Sequence, residues 1–282
     1  MLGNNTLVQN AIEQQVNEQV IEQDQLGFSP LKIYFGDDFQ VTDKITIHTI
    51  SIQDIIDYGE VDLYRTLEPF ISNTTKYRVQ LWDMGIDWNK ISNQELFLIL
   101  LKNINSPYSI KLFGEIDFSK FILQKIGVRE DGSDILSLYS PEQDIEITEE
   151  TQEKMSKYIQ YMFGMYPPQE EFVSGKQLKM DLINNDRQKQ MLRKKELSNQ
   201  TGTVLLSQIS FCVNHPGFKY KKDELREVNF NEFIDSVQRL LVYESTHALY
   251  IGMNSGFVDT SKIKDKERFN FMRVPTDGTE NA

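Results

Sequence analysis

A chain of 282 residues, 39% hydrophobic and 26% charged, has the mass for one large or two ordinary domains and a sizeable core. Its formal net charge of -12 and isoelectric point near 4.8 repel phosphate backbones and anionic membranes, which argues against a nucleic-acid partner. One cysteine, Cys212, excludes an intramolecular disulfide, and no run approaches the ~18 consecutive apolar residues of a membrane span. No charged-then-apolar leader opens the sequence, so a cytosolic protein is expected.

Residues 1–28 form a Gln-, Asn- and Glu-rich leader whose Val8, Ile12, Val16 and Val20 fall on one slowly drifting helix face. That stripe is too narrow for a core-facing helix. It predicts a polar arm, disordered alone and helical against a partner groove. Leu31 to Gly36 (LKIYFG) is β-branched and aromatic and runs into Asp37 and Asp38, predicting a strand and a turn; the alternating Lys44 to Ile50 (KITIHTI) supplies its hairpin partner. Ser51 with Asp54 signals the cap of a short helix through Ile55 and Ile56 that stops near Gly59, and a second helix is predicted from Val61 to Leu67.

Tyr77 to Asn89 (YRVQLWDMGIDWN) holds both tryptophans. Tyr77, Val79 and Leu81 alternate with polar neighbours, predicting an extended segment that Gly85 breaks, with a turn at Asp87, Trp88 and Asn89. Ser92 and Glu95 form a capping box for a helix that is apolar almost all round from Leu96 to Leu101, so it should be buried with the tryptophans packed on it. Ser109 to Ile122 and Ile135 to Ile147 read as further strands, with a turn at Gly132. Thr148 opens a helix whose Met155, Tyr158, Ile159, Met162 and Phe163 share one face, ended by Gly164 and Pro167-Pro168.

Residues 169–200 are polar and predict a solvated connecting helix, its basic run Arg187 to Lys195 forming a solvated face. Val204 to Val213 predicts a buried helix. Asn229 with Glu232 caps a longer one carrying Phe230, Phe233, Ile234, Val237, Leu240 and Leu241, and Asp259 can cap a last helix with Ile263, Phe269 and Met272. The expected fold class is α+β: small antiparallel sheets packed with helices in the N-terminal part, and a mostly helical C-terminal part. The expected organisation is a leader 1–28, an α+β domain 29–168, a charged connector 169–200, a helical domain 201–273 and a tail 274–282.

The chain offers little reactive chemistry. His48, His215 and His247 are far apart in sequence, without the close spacing of a metal motif. Cys212 lies in an apolar run, where it reads as a small hydrophobe despite His215 three residues later. With 42 acidic residues, carboxylate pairs such as Asp37-Asp38, Asp54 with Asp57, and Glu170-Glu171 are expected as turn, cap and surface groups. Glu130 to Asp134 (EDGSD) lacks the alternating ligands and closing Glu of a calcium loop, and Gly252 to Gly256 lacks the Lys-Ser/Thr of a phosphate loop. No catalytic residue, cofactor or metal is predicted. The expected class is a packing and binding protein.

Five stretches resemble the tail assembly chaperones of long-tailed bacteriophages that infect Gram-positive bacteria. They are LKIYFGDDFQVTDKITI (Leu31 to Ile47), SIQDIIDYGEVDLYRTLEPF (Ser51 to Phe70), YRVQLWDMGIDWNKISNQELF (Tyr77 to Phe97), HPGFKYKKDELREVNFNEFIDSVQRL from His215 and YIGMNSGFVDTSKIKDKERFNFMR ending at Arg273. The likeness runs from about Pro30 to Arg273 and departs most at Asp259 to Arg273, where relatives carry Leu or Asn-Trp near Phe269 to Met272. The resemblance implies a host-cytoplasmic protein, absent from the mature virion, that binds the tape measure protein and assists polymerisation of the tail tube protein around it. The alternative is a structural component of the tail or baseplate. Homo-oligomerisation is left open. The stripes nominated for partner contact are Val8, Ile12, Val16 and Val20 in the leader and Phe233, Val237 and Leu241 in the distal helix.

Overall fold

Local capping chemistry starts four of the helices where the sequence places them, at Ser51, Ser92, Thr148 and Asn229. A computed structural model describes residues 27–104, 107–130, 132–198, 203–256 and 263–275, so the leader stripe lies outside the described residues. Helix α1 (Pro30–Tyr34) is followed by a hairpin of β1 (Phe39–Thr42) and β2 (Ile45–Ile47), then α2 (Ile52–Tyr58) and α3 (Glu60–Leu67). Next come α4 (Arg78–Asp83), α5 (Asn93–Leu101) and α6 (Pro107–Phe113). A three-stranded antiparallel meander follows, β3 (Ile122–Val128), β4 (Asp134–Ser140) and β5 (Ile145–Ile147). The chain continues as α7 (Glu149–Phe163), α8 (Lys176–Ser198), α9 (Val204–Asn214) and α10 (Phe230–Asn254). The fold is α+β, with two small antiparallel sheets among helices.

Full capping boxes open α2 and α5. Ser51 Oγ accepts from Asp54 N at 3.2 Å while Ser51 N donates to Asp54 Oδ2 at 2.9 Å; Ser92 and Glu95 repeat this at 3.2 and 2.8 Å. Asp54 is also a conserver of charge at the interface with α6, since Lys111 Nζ lies 2.8 Å from its carboxylate. Burial pushes the Asp54 carboxyl up, but Lys111 and the two Ser51 hydrogen bonds outweigh it and hold the group below its ordinary value of 3.8. A lowered folded-state pKa adds stability above the ordinary value that is lost as pH falls through the folded one. The stability gap between wild type and Asp54→Asn, measured by urea unfolding, is therefore expected to be full at neutral pH and to shrink below about pH 4. A gap that is constant with pH would remove this role.

Most of the buried apolar residues form one cluster that reaches from Phe28 and Ile33 through Phe70, Phe97 and Tyr158 to Phe230, Phe233 and Val237. The stretches expected as an α+β domain and a separate helical domain thus feed one core. The start of α10 is sewn to the N-terminal part by Phe230 N to Ile50 O (2.9 Å), Ile52 N to Val228 O (3.1 Å) and Asn229 Nδ2 to Ile33 O (3.0 Å). A second, smaller cluster gathers Val79, Leu81, Trp88, Leu96, Leu100 and Ile183. Helix α5 belongs to both: Phe97 and Leu101 point to the main core, Leu96 and Leu100 to the tryptophan cluster. That double duty explains why its sequence is apolar almost all round.

Several expected elements differ. Leu31 to Gly36 is a turn of helix, because Pro30 sits at its first position with φ already helical, and Gly36 at φ 80° ends it; the strand comes later, at Phe39. Arg78 to Trp82, expected as extended, is helical with Tyr77 at the N-cap, since three alternating apolar residues are too few to separate a period of 2 from one of 3.6. Ser109 to Ile122 holds the end of α6 and a 3-10 turn (Phe118–Lys120) before β3 begins. Helix α9 buries only Leu205 and Cys212 and leaves Val204, Leu206, Phe211 and Val213 exposed, because it lies on the outside of α10. Asp259, the expected cap of a last helix, lies outside the described residues; within 263–275 the chain forms a 3-10 turn (Lys266–Phe269), and Phe269 and Phe271 pack as a strap on Tyr250 of α10, each at 5.6 Å between ring centroids.

Candidate functional site

The tryptophan segment is the most densely organised surface region. The rings of Trp82 and Trp88 meet edge to face at 6.1 Å, with Trp88 fully buried and Trp82 partly so, as their expected packing on α5 requires. Trp88 donates its indole N–H to the backbone oxygen of Glu171 at 3.3 Å, and Asn89 Nδ2 donates to Val173 O at 2.8 Å. The stretch after α7 is therefore laid against the tryptophan turn. Gly175, at φ 94°, then redirects the chain into α8.

Helix α8 lies across α4 with one row of side chains inward. Lys179, Leu182, Ile183 and Asp186 follow the i, i+3, i+4, i+7 spacing of a helix face, and Ile183, 1% exposed, enters the tryptophan cluster. Around it the contacts are ionic. Lys179 Nζ sits 2.6 Å from Asp87 and 5.3 Å from the centre of the Trp88 ring; Arg78 grips Asp186 through both Nε and Nη2, the latter at 2.9 Å; Arg187 pairs with Asp83. Arg78 is itself buried and also holds Glu171 at 2.5 Å. The hydrogen bonds that Arg78 donates to Asp186, opposed by burial and aided by Glu171, push the Arg78 pKa further up, so this cation is permanent. Beyond Arg187 every residue through Glu196 is exposed, including Met191 and Leu192. The expected solvated connector is thus half right in physical terms: its second half is solvated and its first half is docked. Burying Ile183 is worth about 1.5–3 kcal/mol, and the exposed Arg187–Asp83 pair about 0–1 kcal/mol.

On the other side of the same turn lies an open cleft of about 470 Å³ between the α4–α5 connection, α5 and β3. Ile86, Ile91, Leu98, Ile99 and Leu123 line it, with Asp87, Lys90 and Glu95 among them. Ile86 and Ile91 also pack against the tryptophan cluster, so the cleft and the α8 groove share a wall. The cleft is apolar enough to take side chains of a partner and carries charges of both signs to orient them.

The distal stripe nominated for partner contact is corrected by its burial. Phe233 is 0% and Val237 6% exposed, both inside the main core, because that face of α10 packs on α7 and the N-terminal elements; only Leu241, 54% exposed, faces outward. Val8, Ile12, Val16 and Val20 lie outside the described residues. Two of the three histidines are engaged by neighbouring groups. His48 meets Asp38 at 2.8 Å, and His215 accepts from Gly217 N at 3.0 Å and meets Glu244 at 2.9 Å, so neither His215 nitrogen addresses Cys212. Burial pushes the Cys212 thiol up, away from the reactive thiolate. Among the described residues no group of three or more His, Cys, Asp or Glu is placed to hold a metal ion, and no helix is long and apolar enough to cross a membrane.

Sequence reasoning missed the α8 groove. Its halves are about a hundred residues apart, and the available signal was the charge order Lys179, Asp186, Arg187 on a helix facing Asp87, Arg78 and Asp83. Comparison with protein-family models, with curated proteins and with solved structures finds nothing that matches the chain.

Proposed function

We propose that this protein is a bacteriophage tail assembly chaperone that binds the tape measure protein and assists polymerisation of the tail tube, acting in the host cytoplasm. The observation that carries the reading is the stretch with the strongest family likeness, Tyr77 to Phe97, which supplies Ile86, Asp87, Lys90, Ile91 and Glu95 to the open apolar cleft. A client helix rich in apolar residues requires an accessible apolar receptor of this kind. The acidic surface agrees with the role, because a net charge of -12 keeps a protein with exposed apolar positions apart from its own copies.

Co-expression with the tape measure protein of a matching phage tests the proposal. The client is expected to stay soluble with the wild-type chain and to precipitate when Ile91→Asp and Ile99→Asp place carboxylates in the cleft. Equal precipitation with and without the wild-type chain would overturn it. A stoichiometric band in purified virions would replace it by the reading as a structural part of the tail or baseplate.

A further inference from the structure

Helix α8 behaves as a bound ligand of the body it belongs to. Among residues 176–196, Ile183 alone is fully buried, and beyond half-buried Leu182 the hold of the helix rests on side-chain charges. Removing α8 also leaves little stranded. Arg78 keeps Glu171 at 2.5 Å, and Glu171 stays in place through its own N–H on Thr75 Oγ1 at 2.9 Å and its carbonyl on the Trp88 indole at 3.3 Å. The groove therefore survives the departure of its occupant, with Asp87, the Trp88 and Leu96–Leu100 pocket, Arg78 and Asp83 set out in order along it. Gly175, at φ 94° with open space where a Cβ would stand, joins the stretch on the tryptophan turn to α8.

We infer that this groove is a helix-receiving site, occupied in cis by α8, that an amphipathic helix of a partner protein takes in trans. The groove's chemistry defines the partner: a cation at position i for Asp87, a branched apolar residue at i+4 for the tryptophan pocket, a carboxylate at i+7 for Arg78 and a cation at i+8 for Asp83. These are the positions of Lys179, Ile183, Asp186 and Arg187, which complement the groove's charges in sign and order. A helix is demanded because only its pitch brings i, i+4, i+7 and i+8 onto one face. The site is distinct from the open cleft across the Trp88 turn and does not depend on the phage assignment. A partner helix competes with α8 for it, so α8 sets the threshold a partner must exceed.

The test uses the full chain and a fluorescein-labelled peptide of residues 176–198. Ile183→Asp is expected to release α8, shifting tryptophan emission to the red. That variant should bind the peptide at least about tenfold tighter than wild type does, because the peptide no longer competes with a tethered copy. Binding should reverse the emission shift. It should fall about tenfold or more when Arg78→Met is added to the protein, or when the peptide itself carries Ile183→Asp. Hydrogen exchange on the wild-type chain supplies a readout that needs no variant: α8 amides should exchange well before those of α5. The inference is overturned if α8 exchanges as slowly as α5, or if the peptide fails to bind a folded Ile183→Asp chain.

Discussion

Phe233→Ala is expected to cost about 3–5 kcal/mol, the usual penalty for emptying a fully buried phenylalanine site. The informative part is where the loss is seen. Both tryptophans sit in the smaller cluster beside α4 and α5, whereas Phe233 is in the main core. If one cooperative core joins the two halves of the chain, urea unfolding followed by tryptophan emission and by far-UV circular dichroism will shift together by the same amount. A tryptophan transition left in place while the dichroism transition moves would show that α10 unfolds on its own. Leu241→Ala, on the same helix but exposed, is the control and is expected to stay within about 0.5 kcal/mol of wild type.

The second large effect is expected at Arg78. It is buried, makes a bidentate contact with Asp186 and also binds Glu171, so Arg78→Met removes one cation from between two carboxylates. Asp186 is left largely covered and uncompensated. Breaking a buried pair from one side costs about 3–5 kcal/mol, because the stranded charge loses its partner without regaining water. Adding Asp186→Asn should recover part of the loss by removing that charge, and a double-mutant cycle in urea measures the coupling. Additive costs for the two substitutions would mean that the pair contributes nothing as a pair. Arg187 is different in kind: it meets Asp83 in an exposed pair, whereas Lys179, with its side chain 13% exposed, is largely covered beside Asp87 and Trp88.

Ser51, Ser92, Thr148 and Asn229 cap the helices expected of them, each accepting from a backbone N–H two or three residues later. Such bonds close within one turn, so they are written locally and can be read locally. By contrast, Leu31 to Gly36 and Tyr77 to Trp82 are too short for their apolar period to choose between strand and helix; at the first, Pro30 and Gly36 bound a helical turn that the apolar pattern did not reveal. The stripe of Phe233, Val237 and Leu241 shows a further limit. Periodicity identifies an apolar face but is silent about whether that face meets a core or a partner, and here the core took Phe233 and Val237.

By itself the sequence determined the α+β class, the starts of the four helices capped by Ser51, Ser92, Thr148 and Asn229, the apolar character of Leu96 to Leu101 and the burial of Trp88, because each follows from interactions within a few residues or from an apolar content that admits no exposed solution. Tertiary structure alone decided that the two halves share a core, that α5 serves two clusters, and that a polar helix late in the chain is clamped over the tryptophans. Those outcomes depend on pairs such as Arg78 with Asp186 and Asn229 with Ile33, separated by 108 and 196 positions. Sequence spacing holds no trace of such a pair until the backbone brings its members together.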